Sequence, residues 1–167
     1  MNVRIAHETE IDELARIWYD GWRDAHERIL PAELARDRTL ESFKSRLREA
    51  LLNVRVTGPV GGPTGFCILK DDELYQLYVS AQSRGEGVAA ALVSDAEERL
   101  AERGIERAWL TCAIGNDRAA RFYEKSGWQR AGSMISILQT AEGPFQLEVW
   151  RYEKVLARPS DSLRSRV

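Results

Sequence analysis

Apolar residues recur at spacings of three and four through Ile11, Leu14, Ala15, Trp18, Trp22 and Ala25, which predicts a one-sided helix over residues 8–25 lying on a sheet. "NVRIAH" before it reads as a short opening strand, and Pro31 ends the helical run. Residues 32–50 form a second, more highly charged helical region with Leu34, Leu40, Phe43 and Leu47 as its apolar contacts; its polar face is expected to be solvated. At residue 51 the rhythm shortens. "LLNVRVTGPV", "GFCILK" and "ELYQLYV", separated by "GGPT" and "DD", read as an antiparallel meander. Ala89, Leu92, Val93, Ala96 and Leu100 then mark one helix face, and Gly104 ends that helix. "RAWLTCAI" is an unbroken apolar strand expected to be buried on both faces. A short helix over 116–126 stops at Gly127, and "WQRAGSMISIL" and "FQLEVWRYEKV" form a last strand pair around "TAEGP". The order predicts an α/β (α+β layered) domain, a mixed and mostly antiparallel sheet of about seven strands flanked by about four helices.

Size and charge narrow the function classes. The chain has 167 residues, enough for one well-buried domain, expected over 1–156, with a flexible Pro/Ser/Arg tail over 157–167. Its 26 acidic and 24 basic residues leave a formal charge of -2, so no basic surplus argues for nucleic acid. The polar start "MNVRIAHETE" and the lack of a long apolar run argue against a signal peptide and a membrane partner, and a cytoplasmic location is expected. Cys67 and Cys112 sit in apolar strand-like runs without metal-ligand spacing, so buried free thiols are expected and no metal.

The candidate chemistry begins at "QSRGEGVAAAL", residues 82–92, where two glycines stand directly against a helix start. Exposed N–H groups and the positive end of the helix dipole make such a place suited to an anion, although a plain glycine turn would look similar. No Gly-Lys pair follows, which excludes a P-loop. A dinucleotide fingerprint fits Gly85 to Ala90 literally, but the first glycine does not leave the strand directly and no carboxylate ends the next strand.

With Arg84 included, Arg84-Gly85-Glu86-Gly87-Val88-Ala89 resembles the acetyl-CoA signature of the Gcn5-related N-acetyltransferase (GNAT) superfamily, and "NDRAARFYEKSGW", from Asn116 to Trp128, is similar to its second signature. The resemblance covers about residues 73–130 and implies the GNAT, or acyl-CoA N-acyltransferase, fold and an enzyme. It implies direct transfer of an acetyl group from acetyl-CoA to a primary amine of a small molecule or peptide. In that reading Arg84, Gly85, Glu86, Gly87, Val88 and Ala89 cradle the pyrophosphate, and Leu77, Tyr78 and Val79 offer main-chain groups to the pantetheine arm. A bulge commonly splays this strand from the next, and the thioester would lie in the gap. Asn116 would bind the arm or an active-site water, although it also suits a helix N-cap.

The resemblance also assigns chemistry. Tyr123 matches the residue that protonates the departing thiolate, with packing against the sheet as the alternative. Glu73 is the candidate general base; strand alternation would put Glu73, Tyr75, Leu77 and Val79 on one face, and a solvated strand-end carboxylate is its alternative. Thr111 stands where members acting on ribosomal-protein N-termini carry Glu, which argues against that specialisation. His26 either reaches the acceptor site or packs at the surface, and Asp20, Asp24 and Glu27 are read as a solvated helix face rather than a lure for a cationic amine. The apolar last hairpin could pair with a second copy to form a homodimer, although an internal sheet edge would look similar. A non-catalytic acyl-CoA-binding module is the alternative to an enzyme.

Overall fold

The computed structural model describes residues 1–158, so the predicted tail lies largely outside the described residues. Seven strands form one sheet in the order β1-β2-β3-β4-β5-β7-β6. They are β1 (Val3–Ile5), β2 (Val54–Thr57), β3 (Gly65–Lys70), β4 (Glu73–Val79), β5 (Arg107–Ala113), β6 (Gln129–Thr140) and β7 (Gly143–Val155). Every pairing is antiparallel except that of β4 with β5. Among the described residues five α-helices accompany them: α1 (Ile11–His26), α2 (Ala32–Asp37), α3 (Leu40–Ala50), α4 (Val88–Glu102) and α5 (Asp117–Lys125).

The expected four helices become five because the charged region over 32–50 breaks at Arg38–Thr39. Thr39 is extended and caps α3 reciprocally with Ser42, which stops the two segments from fusing. The first helix likewise opens with a single tight turn at Glu8–Glu10 before α1. Glu10 is fully buried and accepts from Arg4 at 2.7 and 2.9 Å and from the backbone N–H groups of His7 and Gly61, so one carboxylate ties the first strand, the first helical turn and the β2–β3 loop.

The two sheet faces have separate cores. Leu92, Val93, Ala96 and Leu100 of α4 and Ala120 and Tyr123 of α5 pack with Cys67, Leu69, Leu110 and Tyr152 on one face. Leu14, Trp18 and Trp22 of α1, with Leu34, Phe43 and Leu47, pack on Val54, Val56, Phe66 and Ile68 on the other. Arg55 on β2 clamps Asp95 on α4 through two bonds of 2.8 and 2.9 Å, fixing the helix that starts at the glycine loop. Both cysteines are buried and free. Among the described residues no helix is long and apolar enough to cross a membrane, and no cluster of His, Cys, Asp or Glu is arranged to hold a metal ion.

One register defect matters most. Leu69 faces Leu74 and Ile68 faces Gln76, so Tyr75 is an extra, unpaired residue in β4. The expected single face of Glu73, Tyr75, Leu77 and Val79 is therefore broken. Tyr75 and Tyr78 pack toward α1 and α3, while Leu77 and Val79 pack toward α4 and α5. Beyond the bulge β4 also parts from β5, with which it shares the single pair Glu73 and Trp109, whereas β5 stays paired with β7 from Arg107 to Ala113. β5 is correspondingly not sealed on both faces. Ala108, Leu110 and Cys112 are buried, but Trp109 and Thr111 are only half-buried because their side opens into the gap.

Candidate active site

The diverging strands leave a cavity of about 760 Å3 whose lining is drawn from elements on both faces of the sheet. One mouth is walled by the loop before α4 and the start of α5, the other by α1, the α2–α3 junction and the β6–β7 hairpin. Glu73, Leu77, Tyr78, Val79, Arg84, Gly85, Gly87, Val88, Ala89, Asn116 and Tyr123 all line it. Of the residues singled out from the sequence for the site only Glu86 does not; it is exposed on the loop.

At the first mouth, Gly85 and Gly87 have φ of 81° and 84°, a left-handed conformation that L side chains disfavour by about 1–2 kcal/mol. A Cβ on either would meet nothing within 4 Å, so conformation rather than crowding demands glycine, and the space above the loop is open. Among the described residues no backbone acceptor takes the N–H groups of residues 84–90; the first to find one is Ala91, bonded to the Gly87 carbonyl at 3.1 Å. Those unbonded donors stand together with the positive end of the α4 dipole, an arrangement suited to phosphate. Arg84 flanks it, but its guanidinium is bonded to Asp24 of α1 at 2.8 Å, and Asp24 also accepts from Arg118 of α5 at 3.1 Å. Asp24 is thus a bridge across the mouth, not part of a merely solvated face, and the two arginines hold its carboxyl below the usual range. Asn116 caps α5 through its side-chain oxygen and the Ala119 N–H at 3.4 Å while also lining the cavity.

Along the gap, the edge of β4 from Gln76 to Val79 that turns toward β5 has no strand partner among the described residues. It is free to pair with an extended chain. α1 can lie close over this stretch because Gly21 has no side chain; a Cβ there would come within 2.6 Å of the Tyr78 ring.

In the middle, Tyr123 is 9% exposed, and its ring is enclosed by Phe122, Trp128 and Tyr152. Burial raises its pKa, so the phenol stays protonated. Glu73 is also 9% exposed. Burial is the main cause that pushes it up to about 7, with Lys70 and Arg151 opposing and Asp71 and Asp72 assisting. Cys112 lines the cavity too, and burial drives its thiol up to about 11.

At the second mouth the cavity is aromatic and cationic. Trp22, His26, Tyr75 and Trp109 line it with Arg38, Arg46 and Lys70. His26 is neither free at the surface nor a charged group. Its Nδ1 lies 3.2 Å from the Trp22 carbonyl, and burial with the nearby Arg38 charge pushes its pKa down to about 4. The sequence singled out neither Arg38 nor Arg46, reading their region as solvated. Both are half-buried because the break before α3 turns this segment over Tyr75.

A mixed sheet split between β4 and β5, with a bare helix start at the mouth of the split, is the GNAT fold. The chain belongs to the acetyltransferase (GNAT) family, whose match spans residues 11–128. It is 35% identical over 91 residues to an uncharacterized N-acetyltransferase of Mycobacterium bovis, a match spanning 52% of this chain and 56% of that protein. In structure it resembles a GCN5-related N-acetyltransferase from Rhodopseudomonas palustris, with a TM-score of 0.73 at 20% identity over 93% of this chain and 95% of the other. It also resembles yncA from Salmonella typhimurium, solved with its cofactor acetyl-CoA, with a TM-score of 0.64 at 16% identity over 95% of each chain.

Proposed function

We propose that this protein is an acyltransferase that moves the acetyl group of acetyl-CoA directly to an amine in a ternary complex. The observation that carries the reading is the split sheet itself, with unbonded N–H groups of the glycine loop at one mouth and an unpartnered β4 edge leading inward. Acetyl-CoA fits these features, its pyrophosphate against the loop and its arm along β4, and it supplies an activated thioester carbonyl.

The chain's own residues handle the protons. Glu73, about half ionised near pH 7, takes a proton from an arriving ammonium and passes it to solvent. A lysine-like amine is otherwise almost entirely protonated at neutral pH, a handicap of about 4–5 kcal/mol. As the new C–N bond forms and the C–S bond breaks, Tyr123 gives its proton to the sulfur. The second nitrogen proton returns to the Tyr123 oxygen, so two protons leave the nitrogen, one ending on the thiol and one in solvent. Burial that disfavours tyrosinate disfavours the departing thiolate beside it as well, which keeps this transfer within reach. Cys112 stays protonated near neutrality, which supports attack by the amine itself over an acyl-cysteine route.

Titrating acetyl-CoA and then following free thiol with an acceptor panel tests the reading. Saturable coenzyme binding with amine-dependent thiol release is expected. Absence of acetyl-CoA binding overturns it, and binding without turnover of any amine favours the non-catalytic alternative.

A further inference from the structure

The charges around the second mouth are unbalanced. Among the described residues Glu73 is the only carboxylate lining the cavity, against Arg38, Arg46 and Lys70 at that mouth. Among the described residues, neither Arg38 nor Lys70 has an ion pair or a side-chain hydrogen bond. The nearby acids are already engaged: Asp37 accepts the Ala141 N–H of the β6–β7 turn at 3.1 Å, Asp72 accepts the Trp109 indole N–H at 2.8 Å, and Asp12 and Glu41 hold Lys44. Arg46 is fixed in place, donating to the Tyr75 hydroxyl at 2.8 Å and lying over the Trp18 ring at 4.4 Å, with most of its guanidinium N–H donors unused. Lys70 approaches the Tyr75 ring from elsewhere, 5.2 Å from its centroid.

Three cations therefore gather around Tyr75, two of them half-buried and none in an ion pair among the described residues; Glu73 acts on Lys70, and Asp37 on Arg38, only without direct contact. Burial and the neighbouring Arg46 charge both disfavour charge on Arg38. Such a group is stabilised by whatever anion fills the mouth, and guanidinium groups favour a flat carboxylate that can accept two bonds at once. Tyr75 is two residues beyond Glu73 in β4, so their backbones are at most about 7 Å apart, a distance that a small molecule can span.

We infer that Arg38, Arg46 and Lys70 form an anion-binding subsite and that the acceptor is a small amine whose other end carries an anionic group, a carboxylate by preference. The inference rests on the acetyl-transfer reading above and deepens it by naming the acceptor class. In it the amine meets Glu73 and the coenzyme while the acid end is held at Tyr75, so cationic polyamines are poor acceptors. Arg38 and Lys70 set specificity, whereas Arg46 also supports the fold through Trp18.

The test is thiol release with wild-type protein and matched acceptors: free amino acids, their carboxamides, the corresponding decarboxylated amines, a polyamine and phosphoethanolamine. Acids are expected to exceed their amides by at least tenfold in kcat/KM. Arg38→Gln and Lys70→Met are each expected to lower that acid-to-amide ratio about 10- to 100-fold, chiefly through KM, with Arg38→Lys recovering part of it and acetyl-CoA affinity unchanged. A preference for phosphoethanolamine over the carboxylates keeps the subsite and makes its anion a phosphate. Equal or better use of amides, decarboxylated amines or the polyamine overturns the inference while leaving acetyl transfer intact, as does a ratio unmoved by Arg38→Gln. No response to any anionic amine also overturns it. Failure to bind acetyl-CoA, read separately by calorimetry, is the failure of the underlying reading.

Discussion

Replacing Glu73 with glutamine should stabilise the protein and cripple it at once. Burial moves this carboxyl from an ordinary 4.5 to about 7, a difference worth up to about 3 kcal/mol. The open cavity on one side screens part of this, so about 2 kcal/mol is the working figure. The direction follows from linkage. Folded protein holds the Glu73 proton more tightly than unfolded chain, so below about pH 4.5 the group costs nothing, and its contribution is lost as pH rises through about 7. The glutamine of the variant does not titrate. Glu73→Gln and wild type should therefore have converging stabilities toward pH 4.5, and the variant should gain about 2 kcal/mol by pH 8, or roughly 4–8 °C in Tm for a chain of this size. Urea unfolding of both proteins at several pH values measures the gap. In thiol-release assays, wild-type kcat/KM should rise through an apparent pKa near 7, and the variant should lose about 10²–10⁴-fold together with that limb. Parallel stability curves, or a variant less stable at pH 8, would refute the claim that burial raises this carboxyl.

Other perturbations probe separate parts of the account. Tyr123→Phe should keep acetyl-CoA affinity and lower kcat at least tenfold, because the ring packing survives and only the proton donor is lost. Gly87→Ala should cost about 1–2 kcal/mol of stability from its left-handed backbone and weaken acetyl-CoA binding, both measurable by thermal shift with and without coenzyme. Arg4→Ala should destabilise by about 3 kcal/mol in urea, since it leaves the fully buried Glu10 carboxylate without its cation. Wild-type Glu10 is held down at about 2, so its contribution is complete above pH 4.5 and disappears as pH falls through about 2, a loss visible in acid unfolding.

What the sequence made legible is what is local. Strand and helix periodicities located every element of the sheet, and Arg84-Gly85-Glu86-Gly87 with Asn116 and Tyr123 carried the resemblance because both motifs are contiguous. The resemblance implied a bulge in this strand, but "ELYQLYV", in which Gln76 falls in phase with Leu74 and Tyr78, does not say that Tyr75 is the extra residue; that is set by how β4 pairs with β3 and parts from β5. Arg38 and Arg46 read as solvated charges because helical periodicity sees one helix at a time. Their half-burial arises only when this segment turns over Tyr75 in the folded chain, where neighbouring Asp37 accepts the Ala141 N–H from 104 residues away. Asp24 was hidden for the same reason, since Arg84 and Arg118 reach it from two distant parts of the chain.

The central claim is that the gap between β4 and β5 holds acetyl-CoA, and isothermal titration of acetyl-CoA into wild type and Gly87→Val measures it most directly. Saturable one-to-one binding to wild type is expected, weakened at least tenfold by a branched side chain beside the N–H groups at the start of α4. No binding heat with wild type, or equal affinity in the two proteins, would contradict it.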